Sequence, residues 1–306
     1  MPESTVRYTI KRWEERRTLK DGNKSGRPRK LTKREEKAVV RDVRSNRRLS
    51  SAELSGRLET SFNKKLSPST VRYYLRRNEL YGRAARLKPF ISDRNRRVRV
   101  QWARDHAHWT VEDWKNVIWS DEKKFCRLGS DGKIYVRRGK GEEFLPETMR
   151  GSVKGGGGSI MCWAAFTAAG PGPIHRVEGI MEQTQYRNIL QNVLLPFGEE
   201  VGGGWIFQQD NDPKHTARSV KAWMEEMHLP VMEWPSQSPD LNPIEHLWQA
   251  VDKKVKAAAP RNLNDLERVL RQAWSEIPVS RCERLVESMP RRIQAVIASK
   301  GFPTRY

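Results

Sequence analysis

The chain has 306 residues and a formal net charge of +21, with 58 Lys and Arg against 37 Asp and Glu. A length of this order accommodates about two domains, and no apolar run reaches the roughly 18–20 residues that a membrane span needs. The three cysteines, Cys126, Cys162 and Cys282, are scattered and odd in number, which excludes a disulfide framework or a cysteine metal cluster and favours a reducing compartment. The first 25 residues are charged throughout, so no signal peptide is visible.

The charge is lopsided. Residues 1–100 hold 30 Lys and Arg against 11 Asp and Glu, whereas residues 101–306 hold 28 against 26. A basic first third on a nearly neutral remainder is the footprint of a polyanion partner, most simply nucleic acid.

Ser4–Arg12 (STVRYTIKR) recurs as Ser69–Arg77 (STVRYYLRR), with six of nine positions identical. Each copy puts Val and Ile or Leu at i, i+4 under an exposed basic face, a pattern suited to a helix in a DNA groove. Arg7, Lys11 and Arg12 in the first copy and Arg72, Arg76 and Arg77 in the second are the candidate DNA contacts. The second copy has a full setting: capping boxes at Thr32/Glu35 and Ser50/Glu53 open two helices, and Ser67-Pro68 opens a third. Residues 31–85 therefore read as a helix-turn-helix module. The first copy has no helices before it; residues 1–20 are expected to be a helix with little packing of its own unless DNA orders it. Between the copies, Gly26-Arg27-Pro28-Arg29-Lys30 is an extended basic strip that fits a narrow minor groove, with Arg27, Arg29 and Lys30 as candidate contacts, and equally fits an ordinary basic linker or part of a nuclear-import signal. A basic connector leads to a helix from Ser92-Asp93 that carries Arg94, Arg96, Arg97 and Arg99, with Val98, Trp102 and Ala103 inside.

Strands are expected over 116–128, 133–137, 155–166 and 171–177. The run of four glycines at 155–158 lacks the Lys-Ser/Thr of a phosphate loop and reads as backbone passing close to a neighbour. A helix over 184–197 follows. Trp205-Ile206-Phe207 is a short buried strand that ends in a polar burst carrying Asp210. Then come a helix over 216–228, a second short strand over 229–234, and a loop stiffened by Pro235, Pro239 and Pro243 that opens a helix with Glu245 in its first turn. Helices over 263–274, 279–288 and 291–298 complete the chain. This order gives an α/β domain over 116–306, a mixed sheet flanked by helices in an RNase H-like layout, preceded by the all-α helix-turn-helix region. The boundaries expected are 1–30 for the first repeat and basic strip, 31–85 for the module, 86–115 for a connector helix and 116–306 for the catalytic domain.

Asp121, Asp210 and Glu245 come from three separate elements, and clustered carboxylate oxygens are hard ligands for Mg²⁺ or Mn²⁺. Spacing alone leaves Glu122, Asp212 and Asp240 as competitors. The segments WSDEKKF (119–125), FQQDNDPKHTA (207–217) and WPSQSPDLNPIEHLW (234–248) resemble the three catalytic boxes of Tc/mariner-type DNA transposases. The third acid, a Glu separated from the second Asp by 34 intervening residues, is similar to the Tc branch; the mariner branch has Asp there. The resemblance implies catalytic, metal-binding roles for Asp121, Asp210 and Glu245, holding two Mg²⁺ ions that Mn²⁺ can replace. It implies cut-and-paste excision and integration of a transposon by phosphodiester hydrolysis and strand transfer. Its partners would be double-stranded DNA at terminal inverted repeats and TA targets, with the protein acting as a homo-oligomer in the nucleus and away from membranes. His215, beside the second Asp, is expected to hold the Asp210 loop by a hydrogen bond, and Asn242 to shape the approach to Glu245. The family pattern also has two helix-turn-helix modules, of which only the last helix of the first is present. The alternative expectation is therefore an inactive or domesticated DNA-binding protein derived from such an enzyme.

Overall fold

The computed structural model describes residues 1–17, 26, 28–84, 88, 90–127, 139, 145 and 157–306. The expected strand over 133–137, Arg27 and the first two glycines of the 155–158 run lie outside them. The chain divides into two compact units, Met1–Arg86 and Leu87–Tyr306.

The first unit is helical. Helix α1 spans Glu3–Arg16, α2 Lys33–Ser45, α3 Ser51–Phe62 and α4 Pro68–Arg77. Both capping boxes form: the side chains of Thr32 and Ser50 accept from the backbone N–H of Glu35 and Glu53, and each Glu reaches back to the cap's own N–H. Ser67 caps α4, with Pro68 in its first turn. Leu31, Val39, Val43, Leu54, Leu58, Leu66, Val71 and Tyr74 form one core beneath these three helices. The repeated sequence thus has two fates. Val71 of the second copy is 0% exposed, whereas Val6 of the first is 42% exposed and Ile10 and Trp13 also face solvent. Identical local grammar makes both copies helical, but burial requires the partners that α2 and α3 supply.

The second unit opens with α5 (Asp93–Asp105) and α6 (Val111–Lys115) and centres on a four-stranded sheet. Its strands are β1 (Val117–Cys126), β2 (Ser159–Thr167), β3 (Gly170–Val177) and β4 (Ile206–Gln208), in the order β3-β2-β1-β4. The β1–β2 and β2–β3 pairs are antiparallel; β1–β4 is parallel, with Trp119 opposite Gln208. Helix α7 (Gln183–Ile189) runs through a π-helical turn, Leu190–Leu194, into α8 (Leu195–Val201). Pro196 lies at that junction and has no N–H to give the regular ladder, a common cause of such a bulge. Then come α9 (Arg218–Glu226), α10 (Ile244–Ala258), α11 (Leu263–Ser275), α12 (Val279–Val286) and α13 (Met289–Ala298).

The sheet is covered on both faces. One face packs Trp114, Trp119, Phe166, Trp248 and Trp274 among α5, α6 and α10–α13; the other packs Ile118, Trp163 and Phe207 against α7–α9. Both-face burial explains why β1 begins as a continuous apolar run rather than an alternating one. The expected second short strand, 229–234, is only a single parallel bridge from Val231 to Phe207. Pro230 and Pro235 bracket it and leave too few N–H donors for a ladder. Gly157 and Gly158 hold φ of +73° and +83°, and a side chain at either would strike Arg127 or Leu263, so these two glycines serve a close approach.

Candidate active site

Asp121 lies two residues beyond Trp119 on β1, and Asp210 two residues beyond Gln208 on β4. Since Trp119 and Gln208 are paired in a parallel register, Asp121, in the middle of β1, stands beside the carboxyl end of the shorter β4, just past which Asp210 follows. The crevice beyond the carboxyl end of a parallel strand is where open α/β sheets bind ligands. Glu245 enters from the first turn of α10, whose N-terminal dipole favours an acid there. The three acids line one cleft of about 410 Å³, walled by Asn211, Asp212 and the stretch Trp234–Pro239.

Several side chains fix this arrangement. Trp248, one turn after Glu245, donates its indole N–H to Asp121 Oδ2 at 3.0 Å. Asn242 donates to the carbonyl of Ser120 at 3.0 Å and accepts from the N–H of Ile244 at 3.2 Å, which ties the start of α10 to the strand bearing Asp121. His215 donates through Nδ1 to Asp210 Oδ1 at 2.8 Å and through Nε2 to Glu122 Oε1 at 2.9 Å. Its ring stacks on Tyr186, with centroids 3.9 Å apart.

The electrostatics divide the acids. Burial, then the charges of Glu245 and Glu122, push Asp121 well above the usual carboxylate range. Burial also raises Glu245, against the pull of Lys123 and Lys88. Burial would raise Asp210 too, but the His215 hydrogen bond and the Asp212 N–H outweigh it and hold Asp210 below its ordinary value. For His215, burial acts downward, yet the hydrogen bonds it donates to two carboxylates prevail and its pKa rises to about 9. His215 is therefore an imidazolium at neutral pH, and both ring nitrogens donate.

Among the described residues no three His, Cys, Asp or Glu groups stand close enough to coordinate one ion as they are. Asp210 is turned toward His215, and unneutralised carboxylates repel one another. The donors are nonetheless all hard oxygens in one cleft, and Asp121 and Glu245 carry an uncompensated cost of ionisation that a divalent cation would relieve. The residues present suit such an ion.

The competing acids are accounted for. Asp240 forms a two-pronged ion pair with Arg99 (2.9 and 2.8 Å), and Glu122 is engaged by His215; Asp212, which also lines the cleft, pairs with Lys214 at 2.7 Å. Arg99 was expected on the basic face of its helix and is instead 0% exposed, while Val98, expected inside, faces solvent. Arg99 also donates to the carbonyls of Gly301 and Gln237 and to Ser238 Oγ, so it clamps the proline-stiffened wall of the cleft. Of the candidate DNA contacts, Arg7, Lys11, Arg29, Lys30, Arg72, Arg76 and Arg77 are exposed and Arg12 is half-buried. Arg7 pairs with Glu3 and Arg29 with Glu36.

A sheet covered on both faces, with acids from β1, from just past β4 and from the start of α10 in one cleft, and a helix-turn-helix unit in the same chain, is the arrangement of a DNA-processing nuclease. Residues 36–108 match a helix-turn-helix model of Tc3 type described as "Transposase", and residues 116–268 match one described as "DDE superfamily endonuclease". The Tc1 transposase of Caenorhabditis elegans is 45% identical over 241 residues, covering 78% of this chain and 88% of the relative. The Tcb2 transposase of Caenorhabditis briggsae is 43% identical over 269 residues, covering 88% and 98%. In fold, the chain resembles the Mos1 transposase of a paired-end complex with left transposon end (TM-score 0.79, 18% identity, 100% of this chain and 90% of that one). The chain belongs to the Tc1/Tc3-type family of DNA transposases, DNA-cleaving enzymes of cut-and-paste transposition.

Proposed function

We propose that Asp121, Asp210 and Glu245 are the catalytic acids of this transposase and that together they bind Mg²⁺, two ions in the working enzyme, with Mn²⁺ as a substitute. The observation that carries this reading is the single cleft shared by three acids from β1, the end of β4 and the start of α10. Bound divalent ions supply charge stabilisation and activation of an attacking water or 3′-hydroxyl at phosphorus. The chain's own residues do the rest. Trp248 orients Asp121, Asn242 fixes the distance between β1 and α10, and His215 holds the Asp210 carboxylate ionised. Mos1 structures described as complexes with Mn and with Mg support the metal requirement by analogy of fold.

The DNA would be the terminal inverted repeats of a transposon and a TA target. Arg72, Arg76 and Arg77 on α4 are the contacts we favour in the helix-turn-helix unit, with Arg7, Lys11 and Arg12 on α1 and Arg27, Arg29 and Lys30 in the basic strip. Paired-end assembly of the Mos1 relative supports action as a homo-oligomer. A DNA substrate of this kind supports action in the nucleus; no helix among the described residues is long and apolar enough to cross a membrane.

The test is nicking of transposon-end DNA. Asp210→Asn is expected to abolish strand cleavage and leave DNA binding intact, whereas Asp212→Asn, its neighbour, retains cleavage. Cleavage surviving in Asp210→Asn rejects the assignment. Binding without cleavage by the unaltered chain, even with Mn²⁺, would favour the inactive or domesticated reading.

A further inference from the structure

The second unit holds another groove, of about 680 Å³, between α5 and the C-terminal end of α13. Its floor is apolar and half-buried, formed by Val100 and Ile297; its rim carries Arg97, Arg104 and Lys300, all exposed. Arginines on one helix meet different fates here. Arg99 is buried in the clamp on Asp240, and Arg96 pairs with Asp93 and lies over the Phe302 ring at 4.0 Å. Arg97, Arg104 and Lys300 have no ion pair among the described residues. The acids on the groove side are already engaged: Asp93 by Arg96, and Asp105 by the side-chain amide of Gln101 at 2.8 Å.

Three exposed cations without an ion-pair partner among the described residues, gathered around one groove, raise the local positive potential and favour a polyanion there. Arg97 and Arg104 are seven residues apart, about 10 Å along the helix axis. That span is long enough to reach more than one phosphate of a DNA backbone. A guanidinium at each end and an ammonium in the turn just past the facing helix can neutralise a backbone without reading a base. From these observations we infer that the α5–α13 groove is a sequence-independent docking site for the DNA backbone, separate from the helix-turn-helix contacts and from the catalytic cleft. The inference rests on the transposase reading only in that DNA is the polyanion supplied.

The experiment measures binding of the full chain to end DNA and to a scrambled duplex across a salt series. The variant is Arg97→Gln/Arg104→Gln/Lys300→Gln, and a charge-matched control replaces exposed Lys221, Lys253 and Lys256 with Gln. Each lost phosphate contact lowers the slope of log K against log salt by about 0.9, so the groove variant is expected to lose about 2–3 in slope. At physiological salt it should bind about 10- to 100-fold more weakly, by the same factor on both duplexes. Its melting temperature should not move, since all three side chains are exposed. Nicking of saturated DNA should also persist, which separates failure of this proposal from failure of the catalytic assignment. An unchanged slope, an equal loss in the control, or a loss confined to end DNA would overturn the proposal.

Discussion

Replacing Arg99 with Met is the most informative perturbation of the cleft wall. The guanidinium is 0% exposed and the Asp240 carboxylate 3%, and the pair is held at 2.8 Å. Arg99→Met keeps most of the side-chain volume but leaves Asp240 buried without its cation, and it strips donors from Gln237, Ser238 and Gly301. Removing one partner of a buried ion pair costs about 3–5 kcal/mol. For a unit of this size each kcal/mol lowers the melting temperature by about 2–4 °C, so a fall of about 6–20 °C is expected. Tryptophan fluorescence reports this unit almost selectively, because ten of the 11 tryptophans lie beyond residue 100 and the remaining one is Trp13. Arg99→Met/Asp240→Leu, which leaves no unpaired charge, should recover a substantial part of the loss. A fall below about 2 °C in the single variant would refute the idea that this pair holds the wall.

Further outcomes follow from the same contacts. His215 has a folded pKa of about 9, above its ordinary 6.5. Its stabilisation, on the order of 3 kcal/mol, is thus fully present below pH 6.5 and lost as pH rises through about 9. A melting series on metal-free protein should show this decline, and His215→Gln should flatten it. Asp121, whose pKa is raised, must lose its proton to bind a cation, so Mn²⁺ affinity measured by calorimetry should fall toward acid pH; a pH-independent affinity would contradict that. Asn242→Ala loses hydrogen bonds to Ser120 and Ile244 and should cost about 1–3 kcal/mol in urea unfolding, with cleavage slowed more than DNA binding.

Much of this molecule was legible in its sequence where the signal was local. The capping boxes at Thr32 and Ser50 are read from residues three apart, and they form. The apolar run before Asp210 delivers that acid to a strand end, because three apolar residues followed by polar ones admit few other placements. Signals that depend on distant partners were not legible. Arg99 looked like one more surface cation, since Asp240 is 141 residues away in the chain. Glu122 looked like a spare acid beside Asp121, although it grips His215, 93 residues on. Those two pairings could have been suspected only from a surplus of charge near positions that must be buried. The strand expected over 229–234 failed for a local reason, since its flanking prolines permit one bridge and no more.

Mn²⁺ binding by electron paramagnetic resonance, measured on the unaltered chain and on Asp121→Asn, Asp210→Asn and Glu245→Gln, is the most direct test of a shared metal site. All three substitutions should abolish tight Mn²⁺ binding and end-DNA cleavage while DNA affinity stays unchanged. Any one of the three that keeps both full Mn²⁺ binding and cleavage would remove its residue from the site and contradict the assignment.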